Sequence, residues 1–191
     1  QAMGINRPII GVLFKRAVFQ ADGATAITTD RPVLLETEVG FTLGKPITTP
    51  VTEHSVLDAV AYCSGMIELA SPNLQQRPTS VDLISNNSAS YGCIIGVSNR
   101  HPTDIDLDAV PVTLTRLASA DEVLHTAAAG SVMAGQREAL IWLINSTLAQ
   151  GYALQPGHVL MTGSIGSMHA GKAGKYRADF GALGDLTFVL D

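Results

Sequence analysis

Residues 33–43 read VLLETEVGFTL, and this stretch decides the fold that we expect around it. Its apolar side chains alternate along residues 39–43, which predicts a β-strand with one buried face. Glu36 and Glu38 are two positions apart, so they lie on the same side of that strand. Because adjacent carboxylates repel each other and lose hydration when buried, the pair needs a cation or a basic neighbour.

A third carboxylate strengthens the case for a cation. Glu68 lies within the short apolar run GMIEL at residues 65–69, where an acid is costly unless it is paired or bound to a metal. Three carboxylates favour Mg²⁺ or Mn²⁺, because hard cations prefer oxygen ligands. The alternative is that Glu36 and Glu38 form the solvated face of a surface strand.

Composition bounds the class of protein. The 191 residues fit one domain with a sizeable core, and no apolar run reaches the roughly 18 residues of a membrane span. The 12 basic residues are scattered and the net charge is −5, which argues against nucleic acid or an anionic membrane as partner. Hydrophobic residues make up 46% of the chain, which favours a homo-oligomer with a buried interface.

The two cysteines and the first residue bear on location and processing. Cys63 and Cys93 form no CxxC motif, which predicts buried thiols in a reducing, cytoplasmic compartment. No signal peptide is evident, and the chain begins at Gln1 rather than at Met.

The pattern along the chain predicts an α+β fold, mostly β, in which a mixed sheet is rolled or sandwiched. Strands are predicted at residues 9–14, 25–28, 33–43, 90–97, 111–117, 123–126, 159–162, 176–180 and 186–190, with Glu68 in a further strand. Helices are predicted at residues 53–64 and 135–150, with a helical turn at 80–84 and a glycine-rich loop at 163–174.

Several short motifs occur in an order that resembles one enzyme family. They are GVLF at 11–14, LETEVGF at 35–41, IEL at 67–69, NSAS at 87–90, LQPGHVLMTGS at 154–164, ADFG at 178–181 and LG at 183–184. Together they span nearly the whole chain. The sequence resembles the fumarylacetoacetate hydrolase superfamily, within it the branch of 2-oxopent-4-enoate hydratases and 4-oxalocrotonate decarboxylases.

The resemblance implies a fold, a metal and a reaction. The fold is the mixed β-sandwich roll of the fumarylacetoacetate hydrolase C-terminal domain, and Glu36, Glu38 and Glu68 match its ligands to Mg²⁺ or Mn²⁺. In such enzymes the metal chelates the 2-oxo-carboxylate end of the substrate and stabilises an enolate. We therefore expect a metal-dependent lyase that hydrates a 2-oxo-4-enoate such as 2-oxopent-4-enoate. A 4-oxalocrotonate-type decarboxylase or an acylpyruvate hydrolase, using the same site, is the alternative.

The resemblance also implies which loops contact the substrate. Thr162, Gly163 and Ser164 match a strand-end loop that lines the site, and Asn87 and Ser88 match a polar turn at its mouth. The loop that follows Ser164 contains a histidine, His169, which we predict as an acid or base near neutral pH. For Ser164 and Asn87 the competing interpretation is an ordinary turn residue.

Two departures from the family pattern open a further alternative. Family members carry an N-terminal segment that ends in a lysine-bearing Gly-x-Lys-x-Gly motif, and the present chain starts where that motif would end. Ile9 stands where hydratases often have an acid. A catalytically silent member that binds a related hydratase or decarboxylase subunit is therefore the alternative from another class, and the frame upstream of Gln1 distinguishes them.

Overall fold

Two β-sheets form the frame of the molecule. The computed structural model describes residues 7–21, 26–74, 76, 78–98 and 100–191. The strands are β1 (Val18–Gln20), β2 (Ala26–Ile27), β3 (Leu34–Leu43), β4 (Val60–Ala70), β5 (Ser90–Ile95), β6 (Pro111–Leu117), β7 (Glu122–Ala128), β8 (Val159–Met161), β9 (Ile165–Ala170), β10 (Gly174–Asp179) and β11 (Asp185–Leu190). The α-helices are α1 (Ser80–Ser85) and α2 (Gln136–Ala149). Within the described residues, no helix is long and apolar enough to cross a bilayer.

The strand order places β3 inside the first sheet. That sheet runs β1-β5-β4-β3-β8, and β9 also pairs with β3; the second sheet runs β2-β11-β10-β6-β7. The β1–β5 and β2–β11 pairs are parallel and the other pairs are antiparallel. The mixed, mostly β architecture predicted from the sequence is therefore confirmed.

The core lies between the two sheets. Leu35, Val39 and Phe41 are fully buried and belong to one hydrophobic cluster with side chains of the second sheet such as Leu114 and Phe188. Because side chains alternate along a strand, the intervening Glu36 and Glu38 point to the other face of β3. The burial of one face of β3 thus fixes the direction of both acids.

The predicted helix at residues 53–64 is wrong. Residues 53–59 form turns, and β4 begins at Val60 and runs eleven residues against β3 and β5. The apolar spacing from Val56 to Ala61 imitates a helix, but pairing on both edges of β4 outweighs this local preference. Helix α2, the turn at α1 and the long glutamate strand lie where the sequence predicts them.

Three further segments differ in whole or in part from their predicted structure. The predicted loop at 163–174 contains β9, which pairs with β3 despite its glycine and serine content. Residues 9–14 form no strand, because the Asn87 side chain rather than a neighbouring strand binds their backbone. The predicted strand at 25–28 is observed at Ala26–Ile27, and its first residue lies outside the described part.

Candidate metal centre

Three glutamates meet on the face of the first sheet that points away from the core. Glu36 lies directly opposite Glu68 in the β3–β4 ladder, and Glu38 is two residues further along β3. One carboxylate oxygen from each of the three lies within 4.8 Å of the others. An all-oxygen set at this spacing can hold a hard divalent cation such as Mg²⁺ or Mn²⁺.

The electrostatics of this cluster are unfavourable without a cation. Burial, and next the charge of Glu68, raises the pKa of Glu38 well above its usual range. Burial and the charge of Glu36 raise the pKa of Glu68 from 4.5 to about 7, and burial also raises the pKa of Glu36. No Lys, Arg or His in the described part of the chain forms an ion pair with these acids. A bound cation would supply the missing positive charge.

A gap between two strands provides a backbone contact to the cluster. Strands β8 and β9 follow each other along the same edge of β3, β8 against Gly40–Thr42 and β9 against the stretch from Leu34 to Thr37. In the gap between them, the Gly163 N–H donates to Glu38 Oε2 at 2.7 Å. This bond opposes the rise in the pKa of Glu38 and orients its carboxylate. Gly163 has a φ of 114°, a conformation that side chains rarely adopt.

The segment between β8 and β9 is supported by Gln136, a residue that no sequence pattern indicates. Gln136, the first residue of α2, is fully buried. Its Nε2 donates to Ala129 O at 2.7 Å, and its Oε1 accepts from Thr162 Oγ at 2.6 Å. The Thr162 side chain therefore contacts Gln136 and, at 3.1 Å, Val39 O rather than the space between the glutamates. A glutamine at a helix start is normally exposed, so no sequence signal marked it.

Ser164 differs from its neighbours in this segment, because its hydroxyl has no hydrogen bond among the described residues and so can bind a ligand. Its Oγ is inaccessible to solvent and has no hydrogen-bond partner of good geometry among the described residues. It still lies close enough to Glu36 to moderate the rise in the pKa of that acid. A buried, unpartnered hydroxyl beside three carboxylates fits a site that is completed by a cation and its ligand.

Asn87 and Ser88 form a strained turn with two functions. Three consecutive non-glycine residues, Asn87, Ser88 and Ala89, adopt left-handed φ values of 52°, 59° and 61°, a conformation that costs about 1–2 kcal/mol per residue. The Asn87 side chain accepts from Val12 N–H at 2.7 Å and donates to Val12 O at 2.9 Å. It thereby fixes residues 8–14, which we call the strap, while Ser88 lines the cavity below.

An open cavity of about 1600 Å³ includes the glutamate cluster. Its lining includes the three acids, residues 162–164, Ser88, much of the strap and part of α1. The site residues predicted on three different segments thus share one cavity, with the exceptions of Asn87, which acts on the strap, and His169.

His169 lies on the opposite face of the sheet. It pairs with Leu35 in the β3–β9 ladder and so points with Leu35 away from the glutamates. Its Nε2 is 3.1 Å from Nδ1 of His125, and the two rings are stacked with centroids 5.1 Å apart. His125 Nε2 is in turn 3.0 Å from Thr37 Oγ. The structure therefore does not bring His169 together with the three acids.

Comparison with protein families gives a match over almost the whole chain. The model described as the C-terminal domain of fumarylacetoacetate (FAA) hydrolase matches residues 4–187. The chain is 27% identical over 176 residues to a 2-keto-4-pentenoate hydratase of Paraburkholderia xenovorans, covering 91% of the chain and 64% of the hydratase. It is 29% identical to the 2-oxo-hept-4-ene-1,7-dioate hydratase of Escherichia coli, covering 96% and 71%. The chain thus spans just under two thirds of the first of these relatives.

Solved structures have the same fold. The 4-oxalocrotonate decarboxylase of Pseudomonas putida G7, complexed with magnesium and adipate, superposes with a TM-score of 0.88 at 19% identity, covering 99% of this chain and 72% of that one. The maleylpyruvate hydrolase of Sphingobium sp. SYK-6, in complex with manganese (II) and pyruvate, gives a TM-score of 0.62 at 15% identity, covering 91% and 61%. At these identities the likeness shows the fold.

Proposed function

The chain belongs to the fumarylacetoacetate hydrolase family, and from this premise we propose that it acts as a divalent-metal-dependent hydratase on a 2-oxo-4-enoate. The observation that carries the proposal is the convergence of Glu36, Glu38 and Glu68 within one cavity. Relatives named as hydratases of 2-keto-4-pentenoate and of 2-oxo-hept-4-ene-1,7-dioate support the choice of reaction.

The three acids would hold Mg²⁺ or Mn²⁺, and their oxygens and charge fit either ion. When bound there, the cation would act as a Lewis acid on the 2-oxo group of the substrate. Glu38 is oriented for this task by the Gly163 N–H. Ser164, whose hydroxyl is buried and unpartnered among the described residues, would donate a hydrogen bond to the substrate carboxylate.

The proposed hydration has two stages, a shift of the double bond and then the addition of water. Solvent water that enters the open cavity would take a proton from C3 of 2-oxopent-4-enoate and return one at C5, which moves the double bond to C3–C4. Water then supplies hydroxide to C4 and a proton to C3, giving 4-hydroxy-2-oxopentanoate. The lining of the cavity is mostly apolar. Gly163 orients Glu38, and Ser164 would hold the substrate carboxylate in place.

The role of His169 is a positioning one in this proposal. It contacts His125, and His125 contacts Thr37, the residue between Glu36 and Glu38. Thr37 also donates to Ile165 O at 2.9 Å, so the histidine pair supports the back of the strand that carries two of the acids.

Exchange of the pyruvate methyl protons in D₂O, followed by NMR, tests the proposal without requiring the correct substrate tail. We expect exchange that depends on Mg²⁺ or Mn²⁺, stops with a chelator and is lost in Glu38→Gln. Glu53→Gln, an exposed glutamate in a turn outside the cavity, is the matched control and should behave as wild type.

The outcomes separate the alternatives. Exchange followed by water addition to 2-oxopent-4-enoate supports the hydratase, whereas CO₂ release from 4-oxalocrotonate without hydration favours the decarboxylase. Metal binding without any exchange overturns the enzyme proposal and favours a silent subunit that binds an active relative. Self-association, predicted from the composition, stays a prediction that the solution mass of the chain tests.

A further inference from the structure

The part of the cavity lining that extends from the glutamates across β5 to β1 is apolar. Across the first sheet, Glu36 pairs with Glu68, Glu68 with Cys93, and Cys93 with Val18. Paired residues point to the same face, so these four side chains form one row. Neighbouring strands are about 4.8 Å apart, which places Cys93 one strand and Val18 two strands beyond Glu68.

This row changes from charged to apolar along its length. Cys93 is buried, and its thiol is free. A buried free thiol behaves as a small hydrophobic group. Val18 continues the row along the cavity lining. A ligand held at the glutamates can extend over Cys93 and Val18 without meeting a further charge in this row.

Other parts of the lining of the same cavity are also apolar. Ile9, Ile10 and Leu13 of the strap are half-buried and line the cavity, as does Leu83 of α1. The two hydrogen bonds of Asn87 fix the strap in this position. Gly11 permits the close approach, because a Cβ there would lie 2.5 Å from Asn87 O.

The described part of this lining contains few basic side chains. Among the described residues that line the cavity, the basic side chains are Lys15 and His158. Lys15 is exposed and follows the strap, and His158 Nδ1 accepts a hydrogen bond from the N–H of Gln155 in its own turn. A second carboxylate on the substrate would lose water in this part of the cavity, and none of the described lining residues offers it a buried basic partner.

We propose that the substrate is a 2-oxo mono-acid with an uncharged hydrocarbon tail, an inference that rests on the proposed function. The strap and the row that contains Cys93 and Val18 would contact this tail. A dioate such as the substrate named for the Escherichia coli relative would be disfavoured. Ile9, Leu13 and Val18 are then specificity-determining residues that select the tail by apolar burial.

Calorimetric titration of the Mn²⁺-loaded protein with pyruvate, 2-oxohexanoate and 2-oxoadipate tests this inference. Each buried methylene is worth about fourfold in affinity, so 2-oxohexanoate should bind about tenfold or more tighter than pyruvate, since its three extra carbons are partly buried. It should also bind about tenfold tighter than 2-oxoadipate, which has the same length but a second carboxylate.

The titration distinguishes failure of the tail assignment from failure of the proposed function. Metal-dependent pyruvate binding with 2-oxoadipate equal to or tighter than 2-oxohexanoate overturns the tail assignment alone, and a loss of that preference in Lys15→Met would identify the cation that reads the dioate. No metal-dependent binding of any 2-oxo acid overturns the proposed function and the tail assignment with it.

A substitution in the strap makes the test directional. Ile9→Lys places a cation beside the tail, and because Ile9 is only half-buried the substitution is compatible with folding. We expect it to shift the affinity ratio of 2-oxohexanoate to 2-oxoadipate towards the dioate by about tenfold. Val81→Lys on α1, where the side chain is 68% exposed and outside the cavity, is the matched control and should leave the ratio unchanged. An unchanged ratio in Ile9→Lys would remove the strap from specificity.

Discussion

Gly163 and Glu38 are joined by a 2.7 Å hydrogen bond that crosses the gap between β8 and β9. The donor is a backbone N–H, so its position depends on the path of the chain rather than on a rotamer. That path is fixed by Gln136 through Thr162. One of the three acids is therefore oriented through a contact that begins at Gln136, the first residue of α2.

Replacing Gln136 by Leu should weaken the metal site from a distance. The substitution roughly keeps the volume but removes the side-chain donor to Ala129 O and leaves Thr162 Oγ with Val39 O alone, which costs about 1–3 kcal/mol of stability. We also expect the dissociation constant for Mn²⁺, measured by calorimetry, to rise several-fold as Gly163 loses its fixed position.

Asn145→Leu is the matched control for this effect. Asn145 also lies on α2 and makes two side-chain hydrogen bonds, at 2.8 and 2.9 Å, to the backbone of Val51. It should lose similar stability and keep the Mn²⁺ affinity of wild type. An equal loss of affinity in both variants would mean that Gln136 acts only through general stability.

Glu68→Gln should separate stability from metal binding. Without metal the variant should be at least as stable as wild type, because a buried charge next to Glu36 and Glu38 is removed. With Mn²⁺ at about 100 times the dissociation constant, wild type gains about 2.7 kcal/mol, or roughly 5–10 °C in melting temperature. We expect the variant to lose this gain; a full thermal shift in Glu68→Gln would contradict the ligand assignment.

The stability of the metal-free protein should fall as pH rises from about 4.5 to about 7. The folded state keeps a proton on Glu68, whose pKa is raised from 4.5 to about 7, while the unfolded chain releases it. Between these values the folded state binds more protons, so the stabilising contribution, complete at low pH, is lost through the higher pKa. Melting temperatures in chelator at pH 5 and pH 7.5 measure it.

Glu68→Gln and added metal should each flatten this pH dependence by several degrees. The variant has no proton to release at this position, and a bound cation replaces the proton in wild type. An identical pH profile in wild type and Glu68→Gln, both in chelator, would mean that the cluster does not hold the proton.

His169→Phe should retain metal-dependent pyruvate exchange within about threefold of wild type. The ring points with Leu35 to the face opposite the glutamates, and Phe preserves the stacking on His125. Loss of exchange to the chelated background would instead support the acid or base role that the sequence predicts for His169. Thermal melts of both proteins distinguish that result from unfolding.

The sequence predicts the acids of the site better than the contacts around them. Strand period places Glu36 and Glu38 on one side from local sequence alone, and Glu68 follows from the cost of an acid in an apolar run. The sequence gives no signal for Gln136, because its partners, Ala129 and Thr162, are brought to it by tertiary packing. The sequence predicts His169 in a glycine-rich loop because Gly166 and its neighbours are typical of one, whereas pairing with the edge of β3 makes these residues a strand, β9.

The position of β3 has a consequence for how the site exchanges its contents. Its amides are engaged by β4 along one edge and by β8 and β9 along the other, so opening it would disrupt three ladders at once. We expect its amides to be among the slowest to exchange with deuterium. The strap, by contrast, is held to Asn87 by two side-chain hydrogen bonds, so we expect its amides to exchange faster than those of β3. Ion and substrate would then reach and leave the glutamates past the strap, while β3 keeps its position.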